Sequence, residues 1–301
     1  MLRLRLDRDA TVYAFHPLSR ITVRGSGPRI PILMYHGVQV GSSARHPYYE
    51  TNTSPTRFAA QMKYLRDQGF QSLNLGDAIR RLELGETGNK HVVITFDDGL
   101  RNFYTNAYPV LREFNFSATV FMVTSLAEDQ SLPSGEKEFL RWAEVRELHS
   151  NGMQIGSHTV THPKLKCLST ARVDQEIGQS KKTIEDKLGQ TIDSFSYPFA
   201  FPETDGDFIS KLEEILLKYG YKNGVSTIIG TAGVDHNRFF LPRLPVNNWD
   251  DLQLFRAKLE GGYDWLHAAQ YFIKRLKRLP LKVRKAHREE MRLEDASPGS
   301  R

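Results

Sequence analysis

The sequence contains very little cysteine and no long apolar run. Its single cysteine, Cys167, excludes an internal disulfide, and no stretch approaches the about 20 consecutive apolar residues that a membrane-spanning helix requires. The first ten residues alternate leucine with charged side chains and lack the continuous apolar core of an export signal. We therefore expect either a cytoplasmic location or a sequence that lacks its leader, with membrane association left open by a basic C-terminal stretch.

The composition is typical of a folded chain with one sizeable core. Of the 301 residues, 40% are hydrophobic and 25% are charged, a balance that indicates a globular protein rather than a disordered one. Strand-like segments alternate with helix-like segments, as in parallel β/α arrangements. The sequence therefore predicts an α/β fold, either a barrel or an open doubly wound sheet, with its site at the carboxyl ends of the strands.

The predicted elements follow from the spacing of apolar residues. Strands are predicted at 32–35, 70–73, 91–96, 118–124, 153–157, 194–197 and 224–229. Helices are predicted at 54–69, 75–84, 107–114, 141–150, 169–188 and 207–219, and a further helix within 247–259 with Asp250 as its cap. The helix at 54–69 is the best marked, because Ser54 can cap it and Pro55 suits its first turn.

Two adjacent carboxylates follow the apolar strand at 92–96. Asp97 and Asp98 repel each other unless a cation or a shared proton relieves them, so the pair indicates a metal site with a neighbouring base. Strand alternation would send the two acids to opposite faces, so both reach one site only if the chain bends after Phe96. Gly99 makes such a bend easy.

Two histidines follow about sixty residues later. His158 and His162 are four apart, but Gly156 and Pro163 flank them, so a strand that ends in a loop fits better than a helix. Without the other motif, an Asp-Asp-Gly segment is typical of a turn, and a histidine pair often has only a structural role. Together, one carboxylate and two imidazoles form a common ligand set for catalytic zinc or another divalent ion.

The segments 95–99 and 157–163 resemble the first two motifs of the polysaccharide deacetylases, the NodB-homology or carbohydrate esterase family 4 enzymes, and the resemblance spans roughly residues 31–246. It implies a distorted, incomplete (β/α) barrel of about seven parallel strands. It also implies that Asp97 is the catalytic base and that Asp98, His158 and His162 bind the metal. We expect Zn²⁺, with Co²⁺, Ni²⁺ or Mn²⁺ as alternatives.

The third family motif departs from its usual Arg-x-Pro-Tyr pattern. The segment 196–199 reads Ser-Tyr-Pro-Phe, so serine stands where an arginine would steady the base. Arg243 is our candidate substitute. The resemblance assigns the backbone N–H of Phe199 to the oxyanion. We expect the substrate site to include Tyr197, Pro198, Trp142 and Arg243.

The catalytic acid is expected near the start of the chain. The late Leu-x-His segment of the family is missing, whereas the early strand at 32–35 runs into His36. This order resembles the poly-N-acetylglucosamine deacetylases and implies that His36 is the general acid, for which an imidazole pKa of about 6.5 is suitable. The alternative is a histidine that only caps a loop.

The substrate and the chain ends are less well marked. Aromatic residues that could contact a sugar are Tyr48, Tyr49, Trp142, Tyr197 and Phe201, and the segment 48–53 could form a rim over the metal. We divide the chain into an N-terminal extension at 1–30, a catalytic domain at 31–246 and a helical, basic extension at 247–301. Its basic run at 274–292 could lie on an anionic membrane or be a solvated tail. No nucleic-acid motif accompanies that charge, so we expect no nucleic-acid partner.

Three functions remain open from the sequence. The first is a metal-dependent deacetylase that removes N-acetyl groups from an amino-sugar polysaccharide or a lipid-linked precursor, with O-acetyl removal as a variant. The second is a related amidase that acts on a small amide, like the allantoinase-like relatives of this fold. The third is a catalytically silent carbohydrate-binding protein, which would have no need of a base, a metal set and an acid together.

Overall fold

The computed structural model describes residues 5–18, 27–41, 50–86, 90–128 and 138–278. Its strands are β1 Arg29–Ile30, β2 Ile32–Tyr35, β3 Gly37–Val38, β4 Asn52–Thr53, β5 Gln71–Ser72, β6 His91–Phe96, β7 Thr119–Met122, β8 Gln154–Ser157, β9 Ser194–Ser196, β10 Asn223–Ile229, β11 Ala232–Gly233 and β12 Leu241–Pro245. Its α-helices are α1 Leu6–Ala10, α2 Pro55–Asp67, α3 Leu75–Glu83, α4 Tyr108–Glu113, α5 Thr124–Glu128, α6 Trp142–Ser150, α7 Thr170–Leu188, α8 Gly206–Lys218, α9 Leu252–Leu259 and α10 Trp265–Arg278. Thr11–Phe15 and Phe103–Ala107 are π-helical turns, and Leu165–Cys167 is a short 3₁₀ turn.

Seven parallel strands close into a barrel. Around the ring they run β2, β6, β7, β8, β9, β10 and β12, and β12 pairs again with β2. The ring is distorted because the short β5 pairs with the first residues of β6, while β7 pairs only with Thr95 and Phe96 near its end. The predicted distorted barrel of about seven parallel strands is therefore confirmed.

Alternation along β6 divides the core into two parts. Val93 belongs to a small apolar cluster with Ile32, Phe121, Val225 and Leu241, one residue from each of five strands. Residues of α3 complete this cluster, so α3 covers the amino end of the barrel. The neighbouring β6 positions join the larger cluster between the strands and the surrounding helices. Thr95 and Asp97 continue the inward row of Val93, which brings polar groups into the barrel at its carboxyl end.

Each predicted strand and helix of the barrel matches an element of the structure to within two residues at either end, whereas the short elements α1, α5, β1 and β11 were not predicted. The strands at 32–35 and 91–96 have the predicted bounds, and Ser54 caps α2 by accepting a hydrogen bond from the Arg57 amide. The strand β12 was not predicted, because Pro242 and Pro245 each remove a backbone donor. The pairing of β10 with β12 shifts register between Val225 and Ile229, which accommodates the irregular strand.

The N-terminal and C-terminal segments pack against each other. Asp7 accepts a hydrogen bond from the Tyr263 hydroxyl at 2.8 Å, and the ring of Phe15 stacks on that of Trp265 at 4.4 Å. The cap of α9 is Asp251 rather than the expected Asp250, because Asp250 is buried in an ion pair. The three-part division of the chain remains a prediction. Among the described residues, no helix is both long and apolar enough to cross a membrane.

Candidate active site

Three side chains converge where β6 and β8 end. Asp98 follows β6, and His158 and His162 follow β8, the strand beyond β7 in the ring. The Asp98 Oδ1 atom lies 3.8 Å from His158 Nε2 and 3.6 Å from His162 Nε2. All three ligand atoms lie within 4.8 Å of one another. One carboxylate oxygen and two ring nitrogens at such distances can share one divalent ion and leave positions open for other ligands.

The hydrogen bond of His158 fits this role. Its Nδ1 lies 2.8 Å from the carbonyl oxygen of Ser196. Because a carbonyl only accepts hydrogen bonds, Nδ1 must carry the proton, and the Nε2 lone pair then faces Asp98. The side chain of His158 is buried, so the ring is held in this orientation.

The protonation state of His162 also fits a ligand. Burial and the neighbouring His158 lower the pKa of His162 to about 4, although the carboxylates of Asp98 and Asp97 act in the opposite direction. The ring is therefore neutral at pH 7. A neutral imidazole offers its lone pair to a cation without first losing a proton.

The backbone at this site is unusual. Five non-glycine residues in the described part of the chain have a positive φ, and four of them are Asp98, Thr159, His162 and Phe199. The left-handed region disfavours residues with a side chain, so the surrounding contacts must hold these residues there. Asp98 and Gly99 both adopt it, with φ of 71° and 66°, and this is the bend that brings both acids to one site.

A buried carboxylate of α7 holds the histidine loop. Glu176 accepts hydrogen bonds at 2.9 Å from the amides of Val160 and Thr161, and a third from the Thr161 hydroxyl. The sequence reasoning missed Glu176. The available signal was an acid on the apolar face of a helix, between Val173 and Ile177.

Asp97 is bound by Arg243, which lies on β12, two strands away from β6 in the ring. The guanidinium donates two parallel hydrogen bonds, from Nη1 to Oδ1 at 2.8 Å and from Nη2 to Oδ2 at 2.7 Å. It also donates to the Ser226 carbonyl and to the hydroxyls of Thr95 and Ser196. Such a bidentate pair fixes both the position and the plane of the carboxylate.

The charge of Asp97 follows from this pairing. Burial would raise the pKa of the Asp97 carboxyl, but the Arg243 guanidinium, the neighbouring His158 and the hydrogen bonds from Arg243 outweigh it. The pKa of Asp97 therefore lies well below its usual range. The carboxylate is ionised at every pH near neutrality.

His36 lies at the carboxyl end of β2, next to β6 in the ring. It is half-buried. Burial lowers the pKa of His36, whereas the carboxylates of Asp98 and Asp97 favour its protonated form and Arg243 opposes it. The structure thus places His36 within the electrostatic reach of both acids.

The residues of the third motif differ in exposure. Phe199 is 44% exposed, and its ring lies 4.6 Å from that of His162. Tyr197 and Pro198 are buried beneath it, and burial raises the pKa of Tyr197 to about 12. Phe201 is also buried, and its amide and the Phe199 carbonyl both bond the Thr227 hydroxyl.

Burial changes what several expected substrate residues can do. Arg243 is fully buried and fully occupied by Asp97 and its neighbours, so it has no surface to offer a substrate. Trp142 packs in the main core, which corrects the expectation that its ring faces a sugar. Tyr48 and Tyr49 lie outside the described residues. The described end of the expected rim forms β4, which pairs with β3 directly after His36.

Comparison with known proteins agrees with this geometry. The sequence profile of polysaccharide deacetylases matches residues 84–223. YxkH of Bacillus subtilis, which is named as a polysaccharide deacetylase, is 33% identical over 234 residues, or 77% of each chain. The poly-β-1,6-N-acetyl-D-glucosamine N-deacetylase of Staphylococcus aureus is 23% identical over 206 residues, which are 65% of this chain and 68% of that protein.

The fold is also found among solved structures. The Streptococcus pyogenes deacetylase PplD in complex with acetate is 27% identical and superposes with a TM-score of 0.68, over 78% of this chain and 99% of that one. The structure of IcaB from Ammonifex degensii, at 22% identity, shares the fold with a TM-score of 0.61. Given these similarities and the ligand set at the mouth of its barrel, the chain belongs to the polysaccharide deacetylase family of hydrolases.

Proposed function

We propose that this enzyme hydrolyses N-acetyl groups on an amino-sugar polysaccharide or on its lipid-linked precursor. The reaction consumes one water and releases acetate and a free amine. The observation that carries the proposal is the ionised Asp97, fixed by Arg243 directly beside the set of Asp98, His158 and His162. The early position of His36 and the name of the S. aureus relative both favour an N-acetylated glucosamine polymer.

The metal fits the donors that the chain offers. Two imidazoles and one carboxylate suit Zn²⁺, and also Co²⁺, Ni²⁺ or Mn²⁺. When bound, such an ion polarises the acyl carbonyl and lowers the pKa of water toward about 7. The hydrogen bond from His158 to Ser196 and the three hydrogen bonds to Glu176 keep the two histidine ligands in place before any ion arrives.

Asp97 is the base in this proposal. An ionised carboxylate accepts the proton of the attacking water, and Arg243 orients it in the role that an arginine of the third motif usually has. Arg243 is thus a positioning residue that acts through Asp97. Ser196, at the motif position where arginine is usual, donates a hydrogen bond from its hydroxyl to Asp97 at 3.3 Å.

His36 and Phe199 complete the set of roles. The amine leaves readily only when it is protonated, and His36 donates that proton. Burial lowers the pKa of His36 and the two carboxylates only partly offset this, so its imidazolium gives up a proton more readily than a free one. The backbone N–H of Phe199 stabilises the oxyanion of the tetrahedral intermediate. The positive φ of Phe199 and the hydrogen bond to its carbonyl from Thr227 hold this peptide in place.

Acetate release from acetylated glucosamine oligomers tests the proposal. We expect metal-dependent release by the native enzyme and a loss of at least about a hundredfold in Asp97→Asn, which keeps the shape of the side chain but cannot accept the proton. Asp77→Asn, at an exposed carboxylate, is the matched control and should behave like the native enzyme. Binding without release would favour the carbohydrate-binding alternative, and release only from small amides would favour the amidase.

A further inference from the structure

An exposed aromatic ring lies at the rim of the proposed metal site. Phe199 is 44% exposed, and its ring lies 4.6 Å from the ring of His162. The Thr227 hydroxyl donates a hydrogen bond to the Phe199 carbonyl at 3.0 Å, which holds the loop that carries the ring. An aromatic face exposed in this way can pack against the apolar face of a sugar. A sugar bound beside His162 can therefore lie against Phe199.

A lysine lies over the same ring. The Lys164 Nζ atom is 5.6 Å from the centre of the Phe199 ring, a distance at which an ammonium group and an aromatic face attract each other. The backbone of Lys164 is held in place, because its carbonyl accepts a hydrogen bond from the Cys167 amide at 2.8 Å and the next residue, Leu165, is buried. Phe199 thus contacts both a proposed metal ligand and this ammonium group, which places Lys164 at the rim of the site.

The positive charge of Lys164 is not neutralised by the described part of the chain. Most of the described lysines form ion pairs with carboxylates, namely Lys63, Lys166, Lys181, Lys211, Lys218, Lys222 and Lys258. The acids in the loop after the third motif are engaged by other residues, since Asp205 pairs with Lys166 and Glu203 with His267. Among the described residues, no carboxylate pairs with Lys164, which is exposed.

A positive charge beside a sugar site discriminates between substrates. A carboxylate or phosphate oxygen on the bound saccharide would accept a charge-assisted hydrogen bond from the ammonium of Lys164. A neutral N-acetylated polymer offers only hydroxyl and amide groups, and a sugar with a free ammonium group would be repelled. The rim therefore favours an anionic saccharide over a neutral or cationic one.

We propose that Lys164 is a specificity-determining residue, whose ammonium binds an anionic oxygen of the substrate next to the acetylated sugar that packs on Phe199. The substrate is then an acidic N-acetylated saccharide. Its negative charge comes either from the carboxylate of a neighbouring acidic sugar or from a phosphate ester, as in a lipid-linked precursor. The inference rests on the proposed deacetylase function and names the substrate class of the same site.

Equilibrium binding of matched saccharides to the full chain tests the inference, with a chelator present so that no metal-dependent hydrolysis occurs. The first pair is a tetrasaccharide that alternates N-acetylglucosamine with glucuronic acid, and the neutral tetrasaccharide of N-acetylglucosamine. The second pair is N-acetylglucosaminyl phosphate and the neutral methyl N-acetylglucosaminide. In at least one pair we expect the acidic member to bind about fivefold more tightly, as an exposed ion pair allows, and added salt should weaken this preference. The pair that shows the preference identifies carboxylate or phosphate as the recognised group.

Variants of Lys164 show whether its charge causes the preference. Lys164→Met keeps most of the length of the side chain without the charge, so it should bind the acidic and neutral members of each pair equally well. Lys164→Arg should restore the preference. The matched control is Lys182→Met, at an exposed lysine of α7, which should keep the native preference.

Two results would overturn the inference. The first is equal binding of acidic and neutral members by the native chain in both pairs, and the second is a preference that persists in Lys164→Met. Acetate release by the metal-loaded enzyme is measured separately with the same saccharides. A lack of release from all of them would contradict the deacetylase function, whereas the binding preference would still be measured.

Discussion

At the scale of single residues, the pairing of Asp97 with Arg243 decides the chemistry of the site. The two side chains come from strands that are far apart in sequence and meet inside the barrel. The guanidinium keeps the carboxylate ionised against the effect of burial. Arg243 therefore orients the Asp97 carboxylate and also sets its proton affinity.

The first prediction concerns the effect of Arg243 on the pKa of Asp97. In Arg243→Gln the positive charge is lost, so the pKa of Asp97 should rise toward and above its usual range. Because the base must be ionised, the acidic limb of the pH–rate profile for acetate release should move to higher pH. The free energy of unfolding of this variant, measured in urea, should also fall by about 3 to 5 kcal/mol, since a buried carboxylate loses its partner.

The control for this prediction is Arg80→Gln, which removes an exposed partner of Asp77. This substitution should lower the free energy of unfolding by no more than about 1 kcal/mol and leave the pH–rate profile for acetate release unchanged. The stability that the native Asp97 contributes is present above the pKa of the unfolded carboxyl and is lost as the pH falls below it, because the folded pKa is depressed. An acidic limb that does not move in Arg243→Gln would contradict the assigned role of Asp97.

The second prediction concerns the leaving group. In His36→Ala, amide hydrolysis should fall by about 10² to 10⁴, the usual contribution of a general acid. Acetyl ester hydrolysis should fall much less, because an alkoxide leaves with less help than an amine. The rates of acetate release from matched N-acetyl and O-acetyl substrates measure this split, with His149→Ala as the control. An equal loss on both substrates would indicate that His36 has a structural role.

At the scale of secondary-structure elements, α7 supports the proposed metal ligands from outside the site. Glu176 binds the peptide groups of Val160 and Thr161, which lie between the two histidine ligands. This buried acid stabilises a loop whose residues Thr159 and His162 adopt the left-handed conformation. In the proposed site, the helix would therefore contribute to metal affinity without a ligand of its own.

The third prediction follows from this support. In Glu176→Ala the three donors lose their acceptor, so the metal should bind about 10 to 100 times more weakly, as is usual when a residue that orients a ligand is removed. Competition with a metal chelator measures the affinity. Asp186→Ala removes an exposed acid from the same helix and should have no effect. Native affinity in Glu176→Ala would show that the histidine loop holds its shape alone.

The elements also show what the sequence could and could not predict. The strands before His36 and Asp97 were predicted with their observed bounds, because each is a short apolar run with a polar residue at its end. The strand β12 was missed, since two prolines in five residues argue against a strand. Without that strand, only the unusual third motif suggested Arg243. The position of Glu176 on an apolar helix face marks it as unusual, but its hydrogen-bond partners depend on tertiary packing and could not be predicted.

At the scale of the whole molecule, buried ion pairs tie the chain ends to the barrel. Lys258 of α9 binds Asp250 at 2.7 Å, and Arg5 approaches the same carboxylate at 3.6 Å. Lys258 also donates to the carbonyl of Pro245, the last residue of β12. Burial lowers the pKa of Lys258, and Asp250 opposes that shift. The strand that carries Arg243 is thus fixed from both ends of the chain.

The fourth prediction tests this connection. Lys258→Met keeps most of the side-chain volume but leaves Asp250 buried with one partner fewer, so the free energy of unfolding should fall by about 3 kcal/mol. Urea denaturation measures it. Lys211→Met, at an exposed pair with Glu214, should change it by no more than about 1 kcal/mol. An unchanged stability in Lys258→Met would mean that the chain ends contribute little to the barrel.

The metal content of the purified enzyme tests the central claim most directly. Elemental analysis should find one divalent ion per native chain and one in Asp97→Asn, but almost none in His158→Ala, because that variant loses a ligand and Asp97→Asn does not. A metal content that is the same in His158→Ala as in the native enzyme would contradict the assigned ligands and the proposed chemistry with them.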